Sequence, residues 1–283
     1  MAFLPIPLVK MSGAGNTFVL VDGTKTSTWL GIEKNLNIKR RPFAKMICDS
    51  TLGVSADGVL FLENGESDST YIWDFFNADG SDAEMCGNAA RCAALYVNKY
   101  LGSSVTGKYE FKTGAGFVSA QVLGDDRVRV MMPIVKDQNE RKILLIDGKP
   151  EEFFFVNTGV PHLVYKINNY SEVAALKEFA RKARTHVDLG PAGSNVTFSV
   201  TEKEGVVRAV SFERGVENFT QACGTGAVAA AYVEFIKHQS RNIDVHMPGG
   251  TMNVQFSERS MNPVLTGEAV FVIEFQYFYE VIA

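Results

Sequence analysis

This chain of 283 residues has little that could hold a metal or a disulfide framework. It has four cysteines, Cys48, Cys86, Cys92 and Cys223, and no two share the C-x-x-C spacing. Its four histidines include no H-x-x-x-H pair. Both absences argue against a zinc site, and no metal is expected. No apolar run approaches the roughly 18 residues of a membrane helix, so no membrane partner is expected. Lysine and arginine form no cluster and the formal charge is -4, which argues against nucleic acid as a partner. Low-complexity segments and long linkers are also missing. The first ten residues hold Pro5 and Pro7 and no basic start, unlike a signal peptide. A cytoplasmic location with reduced thiols is the expectation.

What the chain does have is a soluble, globular composition, 46% hydrophobic and 21% charged, with length for one large or two ordinary domains. Short β-rich runs recur between glycine, asparagine and aspartate turn markers. Strands are expected at Thr17–Val21, Gly58–Leu62, Tyr71–Phe76, Arg127–Met131, Glu152–Val156 and Val206–Phe212. Helices are expected at Arg41–Cys48, Ala89–Tyr100, Ser171–Arg184 and Gly226–His238, with Pro42 in a first turn and Ser171 as a capped start.

One device occurs twice. Cys86-Gly87-Asn88-Ala89-Ala90 and Cys223-Gly224-Thr225-Gly226-Ala227 each place a Cys-Gly pair before an alanine-rich, helix-forming run. Aligning the cysteines also aligns Ala90 with Ala227, Ala93 with Ala230 and Ala94 with Ala231. Downstream, each copy has a glycine-bearing turn leading into a strand, Thr113-Gly114-Ala115-Gly116 and Met247-Pro248-Gly249-Gly250. Upstream, Gly13–Phe18 is set against Asn157–His162 as a weaker correspondence. The expected architecture is two similar halves, each a bent sheet on its own alanine-rich helix. A thiol at a helix start faces backbone N–H groups and the positive end of the dipole, which favour its thiolate. Two such thiols on opposite sides of one carbon could take a proton from one face and return it to the other. A lone Cys beside Gly is usually a small buried residue, and two at equivalent places are harder to dismiss. Cys48 and Cys92 are read as packing.

These residues resemble the diaminopimelate epimerases. The resemblance runs in order along essentially the whole chain. It is carried by Lys10–Phe18, Gly53–Gly58, Phe76–Cys92, Asn157–His162, Gly193–Val196, Phe212–Glu217, Thr220–Gly226 and Met247–Gly250. The two cysteine motifs, with Glu213-Arg214-Gly215 just before the second, are its most specific part.

The resemblance implies an α+β fold of two pseudo-symmetric halves, each a strongly curved, mostly antiparallel sheet wrapped around a central helix, with the active site in the cleft between them. The halves are expected at 1–134, joined by a C-terminal strand at 268–283, and at 135–267. It implies a cofactor-independent epimerase that interconverts LL- and meso-2,6-diaminopimelate for lysine and peptidoglycan precursors. Cys86 and Cys223 would be the two acid/base groups, tuned by His162 and Glu213. Backbone groups at Gly87, Asn88, Gly224 and Thr225 would grip the reacting carboxylate. Arg214 would clamp the distal carboxylate, and Asn16, Asn77, Asn195 and Glu213 would complete the substrate site. A small-molecule substrate and a homodimer are implied as partners. Val160, Ser12, Ala89 and Gly58 depart from residues frequent in the family, which bears on distal recognition.

Other readings differ in what they require. A proline or hydroxyproline racemase shares the paired cysteines but typically carries His where Asn88 stands. The phenazine-biosynthesis branch lacks both cysteines. A thiol redox protein or a binding protein on the same scaffold would not need Arg214 or both thiols for turnover.

Overall fold

The structure is a computed structural model that describes residues 2–24, 29, 33, 38–102, 104–124, 126–258 and 262–281. Residues 282–283 of the expected C-terminal strand lie outside the described residues. The chain forms two compact units, residues 1–130 with 268–283, and residues 131–267.

The first unit contains β1 (Ala2–Gly13), β2 (Asn16–Asp22), α1 (Arg40–Cys48), β3 (Gly58–Asn64), β4 (Thr70–Asn77), α2 (Gly87–Tyr100), β5 (Lys108–Thr113), β6 (Gly116–Val122) and β7 (Arg127–Met131). The second contains β8 (Lys136–Ile146), β9 (Lys149–Asn157), β10 (Pro161–Lys166), α3 (Lys177–Arg184), β11 (Asn195–Lys203), β12 (Val206–Glu213), β13 (Asn218–Phe219), α4 (Gly224–His238), β14 (Asn242–Met247), β15 (Gly250–Phe256) and β16 (Pro263–Glu268). The last strand, β17 (Val270–Val281), returns to the first unit and pairs antiparallel with β1.

Strand pairing follows the same pattern in both units. In the first, β1–β2 is antiparallel, β2–β3 parallel, β3–β4 antiparallel, β4–β5 parallel, and β5–β6 and β6–β7 antiparallel. In the second, β9–β10 is antiparallel, β10–β11 parallel, β11–β12 antiparallel, β12–β14 parallel, and β14–β15 antiparallel, as is β15–β16. Strand β17 beside β1 takes the place that β8 takes beside β9. A helix fills each parallel crossover, as parallel pairing requires. The duplication therefore extends to the whole unit, including the β1–β2 and β9–β10 turns that the sequence related only weakly.

Each unit has a helix that the sheet surrounds. Helix α2 packs on β1, β2, β3, β5 and β6, and α4 packs on β9, β10, β11, β12, β14 and β15. A helix touched from so many strands cannot keep a polar face, and both are buried nearly all round from their first residue through Val97 and Phe235. Ala89, Ala90, Ala93, Ala94, Ala227, Ala229, Ala230 and Ala231 are fully buried, and their short side chains let strands come close.

The other sheet face carries α1 or α3. Trp29, Phe43 and Phe61 form one aromatic cluster, with ring centroids 4.6–6.1 Å apart. Phe153, Tyr165, Phe179 and Phe198 form the corresponding one in the second unit. The helix expected from Ser171 is segmented: Tyr170–Leu176 winds as 3₁₀ turns before α3 begins. Its cap is Asn169, whose side chain accepts from the Ser171 N–H at 3.0 Å. Asparagine caps at least as well as serine and stands two residues earlier.

Candidate active site

Strand alternation decides what faces α4. Side chains along a strand alternate between faces. In the second unit Leu163, Val196, Phe198, Val210 and Phe212 join the core that packs on α3. Their neighbours His162, Asn195, Thr197, Ser211 and Glu213 therefore point to the α4 side. The register sets His162 beside Asn195 and Thr197 opposite Ser211. His162, Thr197 and Ser211 are fully buried. Buried polar groups must be hydrogen-bonded to be tolerated, and these bond to one another.

Cys223 is the N-cap of α4, with φ -127° and ψ 108°. Its sulfur accepts from the Gly226 N–H at 3.4 Å and lies 3.4 Å from Thr225 Oγ1. Thr225 Oγ1 is 2.9 Å from His162 Nε2, and His162 Nδ1 is 2.9 Å from Thr197 Oγ1. Thr197 Oγ1 is in turn 2.9 Å from Ser211 Oγ. Thr158 Oγ1 donates to the Thr225 carbonyl at 3.0 Å and steadies the first turn. Thr220 Oγ1 donates to Glu213 Oε1 at 2.5 Å, and the Glu213 carboxyl also bonds to the Cys223 thiol. Burial raises the Cys223 thiol well above its ordinary value, and the Glu213 charge adds to that. Burial likewise raises Glu213, against its bond to Thr220.

Burial, with help from the Arg214 charge, lowers His162 to about 3. A histidine held neutral when folded has a consequence for stability. Below about pH 6.5 the unfolded chain binds a proton that the native state refuses until near pH 3. Stability is therefore intact above pH 6.5 and falls as pH drops, by about 1.4 kcal/mol per pH unit for this one proton. Urea denaturation at pH 6.5 and at about pH 4.5 should show this slope, and His162→Gln should flatten it. An equal slope in the variant would show that the imidazole is not buried neutral.

The first unit builds a different surround for its cysteine. Cys86 is the N-cap of α2, with φ -142° and ψ 125°, and is half-buried. Asn88, buried in the first turn, donates from Nδ2 to Asn16 Oδ1 at 2.7 Å and accepts on Oδ1 from Arg91 Nη2 at 2.8 Å. Gly13 lies against the Asn88 backbone, where a Cβ would come within 2.8 Å of its carbonyl oxygen. Arg91 is fully buried and also donates to the carbonyls of Glu268, at 3.1 Å, and Gly87, at 3.4 Å. Burial pushes its guanidinium down, while the thiols of Cys92 and Cys86 hold it up. Burial leaves Cys48 and Cys92 high, at about 12, as inert thiols.

The remaining expected residues are also located. Asn77 ends β4, exposed, with Nδ2 donating to Ser81 Oγ at 3.0 Å. Arg214 is exposed, and its backbone N–H donates to Asn195 Oδ1 at 2.8 Å. Asn195 turns its other amide atom to His162 Nε2 at 3.3 Å. Sequence reasoning missed Arg91, Thr197, Ser211 and Thr158. Thr197 and Ser211 carried a signal: they are hydroxyl residues at strand positions whose neighbours on the same face are buried.

Equivalent strand positions show how far the units have diverged. By pairing, Phe18 stands where His162 stands, Leu60 where Thr197 stands and Phe75 where Ser211 stands. Phe18 and Phe75 meet edge to face at 5.9 Å. The polar chain belongs to the second unit alone.

Solved structures share this architecture. A hydroxyproline epimerase from Agrobacterium vitis superposes with a TM-score of 0.69 at 16% identity, covering 100% of this chain and 94% of that one. A phenazine biosynthesis PhzF-family protein from Enterococcus faecalis gives 0.68 at 15%, covering 98% and 100%. The fold is thus the α+β class that such epimerases and PhzF proteins share. Within it, the chain belongs to the diaminopimelate epimerase family, whose model matches residues 8–136 and 154–272. The diaminopimelate epimerase of Aquifex aeolicus (strain VF5) is 35% identical over 271 residues, 94% of this chain and 95% of that one. Among the described residues, no helix is long and apolar enough to cross a membrane.

Proposed function

We propose that the protein interconverts LL- and meso-2,6-diaminopimelate without a cofactor, by two-base proton transfer between Cys86 and Cys223. The observation that carries this reading is the cysteine at the N-cap of the sheet-surrounded helix, at the same topological place in both units of a family member. One cysteine, as thiolate, takes the α-proton and becomes a thiol. The other gives its S–H proton to the opposite face and becomes a thiolate. Each turnover inverts the carbon and exchanges the two protonation states, so proton and charge balance.

The α-carbon is a weak acid, and the charge it sheds must be stabilised on the adjacent carboxylate. The first-turn N–H groups at Gly87-Asn88 and Gly224-Thr225 suit that carboxylate, because a helix start offers both donors and dipole. Arg214 holds the distal carboxylate with a planar fork of donors. Asn16, Asn77 and Asn195 belong to the same substrate site. This activity places the enzyme in the supply of lysine and cell-wall precursors.

The direct test is incubation of the reduced protein with LL-diaminopimelate in deuterated water, followed by NMR. The α-proton signal should decay as meso product forms carrying deuterium, because the returning proton comes from a thiol equilibrated with solvent. No exchange by a folded protein with titratable thiols would overturn the reading, and the same assay with proline would then test the racemase alternative.

A further inference from the structure

The hydrogen bonds around Cys223 have a direction, and one backbone group sets it. The Arg214 N–H can only donate, so the Asn195 atom it meets at 2.8 Å is the carbonyl oxygen. The NH2 end of that amide therefore faces His162 Nε2 at 3.3 Å and makes Nε2 an acceptor. A neutral imidazole that accepts on Nε2 carries its proton on Nδ1. Nδ1–H then donates to Thr197 Oγ1, and the Thr197 hydroxyl passes its own proton to Ser211 Oγ.

The other branch runs to the sulfur. With no proton on Nε2, the Thr225 hydroxyl donates to it at 2.9 Å. That uses its only hydrogen, so towards Cys223 Sγ, 3.4 Å away, Thr225 can only accept. The Glu213 carboxylate beside the sulfur accepts as well. A thiolate there would face two acceptors and one donor, the Gly226 N–H. A thiol satisfies the arrangement.

We propose that Cys223 is the protonated member of the cysteine pair in the resting enzyme, and that Asn195, oriented by the Arg214 N–H, is a positioning residue that enforces this by holding His162 as the Nδ1–H tautomer. The proposal rests on reading Cys223 as a proton carrier. The neutral imidazole agrees with the burial of His162. The first unit has no such chain, since Phe18, Leu60 and Phe75 occupy the equivalent positions, and the buried Arg91 cation lies near Cys86 instead. Cys86 is then the resting thiolate.

Long-range 1H–15N NMR of the labelled full-length protein reads the tautomer without substrate, with His162 assigned by its loss in His162→Gln. We expect a protonated Nδ1 and a bare Nε2, unchanged from about pH 8 to about pH 5. Asn195→Asp keeps an acceptor for the Arg214 N–H and puts a carboxylate oxygen where the NH2 group faces Nε2. The ring should then carry a proton on Nε2, and the Thr225 proton should turn to the sulfur. In a Cys86→Ala background, ultraviolet absorbance should show no Cys223 thiolate at about pH 8. Cys48 and Cys92, pushed up to about 12, stay silent there. An Nε2–H ring or an imidazolium in the parent overturns the proposal, as does a Cys223 thiolate at that pH or Asn195→Asp with Nε2 still bare. If Asn195→Asp fails to fold, the parent spectrum and the thiolate absorbance decide. An Nδ1–H spectrum from a protein that does not exchange diaminopimelate would sink the epimerase reading and leave the tautomer standing.

Discussion

Cys86→Ala and Cys223→Ala should each lose epimerisation by about three orders of magnitude or more, with the fold retained. A positioned acid or base typically contributes about 10²–10⁴-fold, and in the proposed two-base scheme each cysteine serves one face of the carbon alone. Loss of one small side chain at a helix N-cap costs little by comparison. Cys86 is half-buried and lies outside both aromatic cores, so the variant leaves no large cavity. Circular dichroism and the thermal midpoint check the fold, and coupled turnover checks activity. The single variants should also separate the half-reactions. Each keeps one thiol, so α-proton exchange with solvent at one stereoisomer should outlast net inversion. Full turnover by either variant would end the two-base mechanism.

Gly226→Ala should destabilise the protein by about 1–3 kcal/mol and depress turnover strongly, against the usual rule for helices. In an open helix, Gly to Ala stabilises by about 1 kcal/mol. Gly226, however, lies in the first turn of α4 directly over β11 and β12. An added Cβ would collide with Ser211 Oγ and come within 3.1 Å of Thr197 Oγ1 and 3.3 Å of Cys223 Cβ. Overpacking of this kind forces shifts that cost about 1–3 kcal/mol. The shift would also carry away the Gly226 N–H that donates to the Cys223 sulfur. Adding Ser211→Ala removes the colliding oxygen, so the double variant should recover stability relative to Gly226→Ala. Thermal unfolding of the four members of this cycle measures the coupling. A stabilised Gly226→Ala would show that α4 sits farther from the sheet.

Much of this was open to a sequence reader. The six expected strands each fall within an observed one, because period-two alternation and turn residues are local signals. Helices α2 and α4 begin at the glycine after each cysteine, two residues ahead of the expected starts, because an extended cysteine can act as the N-cap. The capped start at Ser171 was misplaced by two residues, since Asn169 is the N-cap and accepts from the Ser171 N–H. The repeat was visible in a few aligned residues, whereas identical strand pairing extends it through each unit.

The two thiols, their helix starts and the membership of this family were determined by the sequence itself, because they rest on short runs of adjacent residues. The unlike surroundings of those thiols were decided only by tertiary structure. Whether Thr197 and Ser211 are surface hydroxyls or links in a buried chain depends on which sheet face α4 covers. That Arg91 is a buried cation depends on a carbonyl 177 residues away. The direction of the chain from the Arg214 N–H to Cys223 depends on strand register. Each is a relation between residues far apart in the chain, and folding alone brings them within hydrogen-bonding distance.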